Sequence, residues 1–366
     1  MTSGKKIRRI TVKVGTRVLT DRENRIDRSV LKSLSEQLSE LKDAGIEVLL
    51  VSSGAIGAGL GMLKLAKKPR SLSELQAIAA IGQNHLMDIY NEYFTPRGYL
   101  TGQILLTQED FSDRKRYLNI KYTLDTLIRY GAVPIINEND SVSTAEIKCG
   151  DNDRISSLVA DLSGSDMLVI LSDVEGLYDA DGTVIRQVDS VDDSILSLCR
   201  GKGCEVSTGG MTSKLRSVKH AMRSGVACVI AKGRRPNVLK EIMNGEEVGT
   251  RFSPAKRTIT ARKRWIAYGL KPKGHILVDD GAAKALVSGN KSLLPSGIAG
   301  TEGVFESGDV VEIVSKGRKT IARGLSNYSS QEIDRIKGKR TDRIEAELGY
   351  KDYDEVIHKD NLVVTE

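Results

Sequence analysis

Short runs of consecutive apolar, mostly β-branched residues recur through the first two thirds of the chain. They hardly alternate with polar residues, which is typical of strands that are buried on both faces of a parallel sheet. The runs that predict strands are Ile7–Val14, Val48–Val51, Val133–Ile136, Met167–Leu171 and Val226–Ala231.

Helical periods of apolar residues separate these runs. The clearest one, with Val30, Leu34, Leu38 and Leu41 on one face, follows the candidate N-cap Asp27 and ends at Gly45. Two further helices are predicted over Leu72–Tyr90 and Leu118–Tyr130. Alternation of strands and helices predicts an α/β domain: an open, mostly parallel sheet sandwiched by helices.

The pattern changes after the basic stretch Lys256–Trp265. Short strands and glycine turns follow, in Gly274–Val278, Ser307–Val314 and Ile321–Gly324, and predict a small β-barrel. A chain of 366 residues also exceeds the roughly 250–300 residues at which a single core stops growing. We therefore expect a large domain over 1–268, a small domain over 274–352 and a C-terminal tail over 353–366.

Composition narrows the class of protein. With 40% hydrophobic and 28% charged residues the chain is an ordinary globular protein, and a net charge of +7 without aromatic interleaving gives little support for nucleic-acid binding. The four cysteines form no Cys-x-x-Cys pair, so they predict free thiols rather than zinc ligands or disulfides. Neither a signal peptide nor a membrane span is indicated, and the expected location is the cytoplasm.

Polar and glycine residues follow each predicted strand of the large domain. Because ligands bind beyond the carboxyl ends of strands in open α/β sheets, these loops should converge on one crevice. The loops are Lys13-Val14-Gly15-Thr16, Ser52-Ser53-Gly54-Ala55, Asn137-Glu138-Asn139-Asp140, Ser172-Asp173 and Lys232-Gly233.

Several of these residues suit the binding of anions. Lys13 lies at the end of a buried strand, close to Gly15. A backbone turn at Gly15 can approach a phosphate closely, and the ammonium group of Lys13 can neutralise it. The alternative is that Lys13 is a solvated lysine at the edge of the sheet. Backbone N–H groups around Ser53 and Gly54 could hold an anion, or form a simple glycine turn. The run Thr208–Lys214 brings glycines, hydroxyls and a lysine to a helix start, although it lacks Walker A spacing, and Lys214 could instead lie on an exposed helical face.

Acidic residues and amides cluster in Asn137–Asp140 and Gly150–Asp153. Clustered carboxylates repel one another unless a cation is present, which a substrate ammonium group or Mg²⁺ would supply. The alternative is a solvated acidic loop with Asp151 as a helix N-cap. No histidine lies in any of these loops, which fits a carboxylate nucleophile: its reference pKa of about 4.3 leaves it ionised without a general base.

Taken in order along the chain, these motifs, with Gly176-Leu177-Tyr178, resemble the amino acid kinase family, and the part from Gly274 to Asp352 resembles a PUA domain. Within that family the resemblance is to the kinases of free glutamate. It implies that ATP phosphorylates the side-chain carboxylate of L-glutamate to L-glutamyl 5-phosphate, the first step of proline biosynthesis, with ATP and Mg²⁺ as cofactors. No metal site formed by the protein itself is predicted.

The resemblance also assigns roles to residues. Catalysis falls to Lys13, Lys214 and Asp173. The residues expected at ATP are Lys13, Ser172, Asp173, Thr208, Gly209, Gly210, Met211, Thr212, Ser213 and Lys214. Those expected at glutamate are Ser53, Gly54, Asn137, Asp140, Asp151, Asn152 and Asp153.

Further expectations and alternatives come with this resemblance. It implies proline as a feedback inhibitor, a homo-oligomer, and delivery of the reactive product to glutamyl phosphate reductase. The alternatives are a kinase of the same fold that acts on aspartate, N-acetylglutamate, carbamate or a nucleoside monophosphate, and an RNA-binding protein that acts through its barrel. The acidic loops favour free glutamate over N-acetylglutamate, because only the free amino acid brings an ammonium group.

Overall fold

A computed structural model describes residues 7–65, 68–142, 151–198, 210–254, 271–289 and 291–365, together with Ile266. The chain divides into two compact units, Met1–Thr258 and Ile259–Glu366. None of the described helices combines the length and apolarity that a bilayer-spanning segment requires.

An eight-stranded sheet forms the centre of the first unit, in the order β3-β4-β2-β1-β5-β7-β8-β6. The first six strands in this order, which end with β7, pair in parallel, and β8 runs antiparallel to β7. Their bounds are β1 Arg9–Val14, β2 Glu47–Ser52, β3 Thr101–Leu106, β4 Val133–Glu138, β5 Met167–Ser172, β6 Gln187–Val188, β7 Ala227–Lys232 and β8 Thr250–Phe252. The predicted α/β sheet is confirmed.

Helices cover both faces of this sheet. Apolar residues of α2, α4 and α9 pack on one face, and those of α5, α6 and α8 pack on the other. The bounds are α1 Thr16–Leu19, α2 Arg28–Asp43, α3 Ala55–Met62, α4 Leu72–Phe94, α5 Arg114–Arg129, α6 Asp151–Ser163, α7 Asp193–Ser197, α8 Gly210–Arg223 and α9 Val238–Met243.

Helix α2 begins where the sequence predicts. The carboxylate of Asp27 accepts hydrogen bonds from the backbone N–H groups of Ser29 and Val30, which have no partner within the helix. The three apolar positions Leu31, Leu34 and Leu38 face the sheet and are fully or almost fully buried. The prediction of this helix and of its N-cap is confirmed.

Two glycines allow α3 and α4 to cross in backbone contact. A Cβ atom added to Gly82 would lie 1.9 Å from the carbonyl oxygen of Ala55, and one added to Gly59 would lie 2.1 Å from that of Ile78. Both distances are far below van der Waals contact, so a side chain at either position would force the helices apart. This crossing fixes the start of α3, which follows directly on the Ser53-Gly54 loop.

A five-stranded sheet, in the order β10-β9-β11-β12-β13, forms the second unit with its own apolar core. This confirms the predicted small β-rich domain. Its strands are β9 Gly274–Val278, β10 Ile298–Gly303, β11 Val310–Val314, β12 Thr320–Leu325 and β13 Leu362–Val364. Its helices are α10 Asp280–Gly289, α11 Ser330–Ile336 and α12 Ile344–Leu348. Strand β13 comes from the segment expected to be a tail and pairs with β12.

Candidate active site

The carboxyl ends of β1, β2, β4 and β5 open into a cleft of about 330 Å³. The starts of α3, α6 and α8 complete its walls. Of the residues predicted at ATP and glutamate, the cleft gathers Lys13, Ser53, Gly54, Asn137, Asp140, Asn152, Asp153, Ser172, Asp173, Gly210, Met211 and Lys214. Four of the five loops that the sequence predicts to converge therefore lie around a single cavity, and Lys232-Gly233 is not among the residues that line it.

One buried carboxylate holds two lysines at the base of this cleft. Asp153 Oδ1 lies 2.6 Å from Lys13 Nζ, and Asp153 Oδ2 lies 3.6 Å from Lys214 Nζ. The Asp153 side chain is 2% exposed, and those of Lys13 and Lys214 are 6% and 13% exposed. Two cations thus share one anion in a dry environment, which leaves a local excess of positive charge.

The backbone places Lys13 in this position. Lys13 is the penultimate residue of the buried strand β1, and the next loop residue, Gly15, donates its N–H to the carbonyl of Leu171 at 3.1 Å. A Cβ atom at Gly15 would lie 3.5 Å from Lys13 Nζ. A longer side chain there would occupy the space beside the ammonium group, where we expect an anion to bind.

The pKa of Lys214 is lowered from the ordinary lysine value of 10.5. Burial is the largest cause, and the positive charge of Lys13 adds to it, while Asp153 and Asp173 act in the opposite direction. Burial penalises the charged form of a lysine, so an anionic ligand that reaches Lys214 gains a poorly solvated cation as its partner. The ammonium group also donates to the carbonyl of Gly210 at 3.1 Å, at the start of its own helix.

Three side-chain amides form a chain that leads away from the lysines. Asn152 Nδ2 donates to Asn137 Oδ1 at 2.8 Å, and Asn137 Nδ2 donates to Gln83 Oε1 at 2.7 Å. The direction is fixed because the backbone N–H of Glu138, which can only donate, reaches the oxygens of both asparagines. Asn152 Nδ2 also donates to Ser53 Oγ at 3.1 Å, which connects this amide chain to the start of α3.

The Ser53-Gly54 loop is held in a backbone conformation that favours glycine. Gly54 has a φ of 108° and immediately precedes α3. Ser52, the residue before this loop, donates its hydroxyl hydrogen to the Ser53 carbonyl. It therefore accepts the hydrogen bond that joins it to the Tyr90 hydroxyl in α4 at 2.7 Å. The loop is therefore tied to β2, α4 and the amide chain.

Asp140 is one of the acidic residues that line the cleft. It also lines a neighbouring cavity of about 220 Å³, together with Ala55, Gln83 and Glu138. The cleft is thus lined both by Lys13 and Lys214 and by the carboxylates of Asp140 and Glu138, and only these carboxylates also line the neighbouring cavity. A ligand that carries both an anionic and a cationic group fits this separation of charge.

Asp173 contacts an arginine. Its carboxylate lies 3.1 Å from Arg17 Nη1 and accepts a hydrogen bond from Ser172 Oγ at 3.1 Å. Burial raises the pKa of Asp173, but hydrogen bonds from Arg17, from its own backbone and from Ser172 outweigh burial and lower that pKa. The carboxylate that pairs with both lysines is Asp153, whereas the family resemblance assigned the catalytic role to Asp173.

Sequence reasoning missed Arg17 and Gln83. Arg17 lies four residues after Lys13 and lines the same cleft, so its position beside the Gly15-Thr16 turn was a usable signal. Gln83 lies in the middle of α4, far along the chain from every loop, and no sequence pattern indicates its contact with Asn137.

Some predicted site residues cannot be placed in the cleft. Thr208 and Gly209 lie outside the described residues. Asp151 begins α6, and its side chain is not described. Thr212 and Ser213 belong to the first turn of α8 but are not among the residues that line the cavity.

Comparison with known proteins identifies the family. The model of the amino acid kinase family matches residues 8–232, which contain all the cleft residues described above. The chain belongs to the amino acid kinase family. A PUA domain model matches residues 274–348 of this amino acid kinase, in the second unit.

Curated relatives match this amino acid kinase along nearly its whole length. The glutamate 5-kinase of Caldanaerobacter subterraneus subsp. tengcongensis is 50% identical over 364 residues and is covered to 98%, as is the chain itself. The glutamate 5-kinases of Thermoanaerobacter sp. and Geobacter sulfurreducens are 49% and 46% identical, again with 98% of each chain covered. The kinase therefore lies among the glutamate 5-kinases.

Proposed function

We propose that the protein transfers the γ-phosphoryl group of ATP to the side-chain carboxylate of L-glutamate. The products are L-glutamyl 5-phosphate and ADP, and the reaction is the first step of proline biosynthesis. The observation that carries the proposal is the cleft itself, in which Lys13 and Lys214 share Asp153 and whose lining also includes Asp140. Relatives that match almost the whole chain bear the name glutamate 5-kinase.

At the phosphate end, Lys13 and Lys214 neutralise charge on the group being transferred. Phosphoryl transfer needs little covalent chemistry from the protein, and its rate depends mainly on positioning and charge stabilisation. Asp153 holds the two ammonium groups at fixed positions before substrates arrive. Because the γ-carboxylate of glutamate is ionised at neutral pH, no side chain has to remove a proton from it.

At the glutamate end, Asp140 pairs with the α-ammonium group. The amides of Asn137 and Asn152 and the hydroxyl of Ser53 provide hydrogen bonds to the rest of the amino acid, and their mutual contacts keep them oriented. This arrangement favours free glutamate over N-acetylglutamate as the acceptor, because the neutral amide of N-acetylglutamate brings no positive charge to Asp140. We propose that Ser53, Gly54, Asp140 and Asn152, all of which line the cleft, bind glutamate as predicted.

Mg²⁺ fits this site as a companion of ATP. Among the described residues, no group of three His, Cys, Asp or Glu side chains could hold a metal ion. Mg²⁺ commonly keeps several waters and binds through substrate phosphates, and it would supply further neutralisation of the phosphate oxygens. The protein's own contribution at this end remains that of Lys13 and Lys214.

The test of this function is product trapping. The full-length protein with ATP, Mg²⁺ and L-glutamate should yield γ-glutamyl hydroxamate when hydroxylamine is added, because hydroxylamine attacks the acyl phosphate. Aspartate, N-acetylglutamate, carbamate and nucleoside monophosphates serve as competing acceptors in an ADP-release assay. Sustained turnover with one of those acceptors, and none with glutamate, would contradict the proposal.

Replacing Asp140 by alanine should raise the KM for glutamate about tenfold to a hundredfold and change kcat little. The lost contact is a charge-assisted hydrogen bond made in both the ground state and the transition state, worth about 1.5–3 kcal/mol. Steady-state kinetics at saturating ATP measure the effect. Glu23→Ala, which removes an exposed carboxylate paired with Arg25, is the control. A fall in kcat at an unchanged KM would contradict the role of Asp140.

The pH dependence should show an alkaline limit below 10.5. Burial lowers the pKa of Lys214, so its ammonium group is lost as pH rises through that lowered value, and kcat/KM for ATP should fall there. The cost of burying the charged lysine is present below this pKa and is relieved above it. Lys214→Arg should move the limit upward, since arginine stays protonated. An unchanged pH profile in that variant would assign the limit to another group.

Four further expectations accompany the proposed reaction. Proline, which shares the ammonium and carboxylate groups of an amino acid, is proposed as a feedback inhibitor. A homo-oligomer and close delivery of the reactive acyl phosphate to glutamyl phosphate reductase are proposed on the family resemblance alone. The cytoplasm is proposed as the compartment of the reaction, and the buried free thiol of Cys228 would persist there in reduced form.

A further inference from the structure

An arginine lies at the rim of the cleft in a contact that is easily exchanged. Arg17 Nη1 lies 3.1 Å from Asp173 Oδ2, and the two side chains are 60% and 40% exposed. Arg17 lines the same cavity as Lys13, Lys214 and the Gly15-Thr16 turn. It therefore adds a cation to the phosphate end of the cleft, whose lining also includes Lys68.

We propose that Arg17 is a further residue that positions the nucleotide, and that its guanidinium group leaves Asp173 to bind phosphate oxygens when ATP enters the cleft. The inference rests on the proposed function, because it requires a nucleoside triphosphate in this cavity. It adds one contact to the proposed nucleotide site: the planar guanidinium group of Arg17 donates two hydrogen bonds to the phosphates from the solvent-exposed side of the cleft.

The charges of the buried cluster explain why a further cation near it is needed. Lys13 and Lys214 share the buried Asp153, so the three side chains together carry a net charge of about +1. The triphosphate of ATP carries several negative charges. Rearranging the buried lysines away from Asp153 would strand a carboxylate in a dry environment, which is costly. Arg17 can reorient without that cost, because its partner is accessible to water.

The energies favour the exchange. An exposed ion pair contributes only about 0–1 kcal/mol, so little is lost when Arg17 leaves Asp173. Arginine can bind phosphate through two parallel N–H···O bonds, which are stronger than a solvent-exposed contact with a carboxylate such as that of Asp173. Asp173 keeps the hydrogen bond from Ser172 after the exchange and remains solvated.

A purely structural role for Arg17 makes a different prediction. If the contact with Asp173 served only to tie α1 to the end of β5, its removal would change stability slightly and would affect both substrates alike. Nucleotide positioning predicts an effect confined to ligands that carry phosphates. Kinetic constants for ATP and glutamate, together with inhibition by ADP and by adenosine, separate the two roles.

The experiment compares Arg17→Ala and Arg17→Gln with the unaltered full-length protein. We expect the KM for ATP and the inhibition constant of ADP to rise roughly tenfold to a hundredfold, as for a lost hydrogen bond to a charged group. The KM for glutamate and the inhibition by adenosine should stay within about twofold. Arg17→Lys should recover part of the loss, because it keeps the charge but not the planar fork.

Arg25→Ala is the matched control, since Arg25 is another exposed arginine of the same region, paired with Glu23 at 2.8 Å, and does not line the cleft. It should leave every constant unchanged. Equal losses of ADP and adenosine binding, or an unchanged KM for ATP in both Arg17 variants, would overturn the inference while the kinase function stands. If the unaltered protein fails to turn over ATP with glutamate, the proposed function itself is overturned.

Discussion

Replacing Asp153 by alanine is expected to destabilise the folded protein by about 3–5 kcal/mol and to abolish measurable kinase activity. Asp153 is the shared partner of Lys13 and Lys214, and its removal leaves two neighbouring cations buried without an anion. The protein can then fold only with the lysines deprotonated or the cleft opened, and neither state can hold the phosphoryl group in place. The activity loss should therefore persist at saturating concentrations of both substrates.

Urea denaturation measures the change in unfolding free energy. Asp125→Ala is a matched control, because Asp125 also bridges two cations, Arg9 and Lys121, but is 37% exposed. It should lose less than about 1 kcal/mol. The deficit of Asp153→Ala should shrink at alkaline pH, as the uncompensated lysines lose their protons. Equal destabilisation by the two variants would show that burial of the Lys13–Asp153–Lys214 cluster does not determine the loss of unfolding free energy.

Replacing Lys214 by methionine is expected to lower kcat by a factor of about 10²–10³ while the KM for glutamate changes little. Loss of one preorganised group that stabilises transition-state charge usually has an effect of this size. Methionine keeps most of the apolar stem, so the packing of α8 is preserved. Single-turnover measurements at saturating ATP would show whether the chemical step is the one that slows.

The Lys214→Met protein should not lose the folding stability that Asp153→Ala loses. Asp153 keeps Lys13 as a partner at 2.6 Å, and one buried cation with a lowered pKa is removed, so the folded state should be equally or more stable at neutral pH. Arg216→Ala, on the exposed face of the same helix, controls for changes in α8. A Lys214→Met protein that unfolds readily, or that keeps its kcat, would contradict the proposed division between catalysis and stability.

The sequence predicted the sheet well because burial on both faces leaves a plain signal. The apolar runs before Lys13, Ser53, Asn137 and Ser172 are strands β1, β2, β4 and β5, and the polar residues after them meet at one cleft. The candidate N-cap Asp27 was equally clear, since its carboxylate satisfies N–H groups that α2 leaves unpaired. Each of these features depends on residues close together in the chain.

Features that depend on distant contacts were not predictable. Strand β3 lies at the edge of the sheet and is only partly buried, so it lacks the continuous apolar run of its neighbours. Among the acidic residues near the cleft, the geometry of α6 decides that Asp153 reaches both lysines. The contact of Gln83 with Asn137 spans 54 positions of the chain and follows from how α4 packs.

The crossing of α3 and α4 limits how this protein can change. Gly59 and Gly82 sit where a single methyl group on either would overlap the opposite backbone, and the same two helices anchor the turn at Ser53 and the hydroxyl of Tyr90. The clash caused by a side chain at one glycine cannot be relieved by a second substitution at the other, since both clashes are with main-chain oxygens. Attempts to enlarge the cleft for longer or bulkier acids should therefore begin at Ala79 and Ala80, which line the neighbouring cavity of about 220 Å³. They should leave Gly59 and Gly82 unchanged.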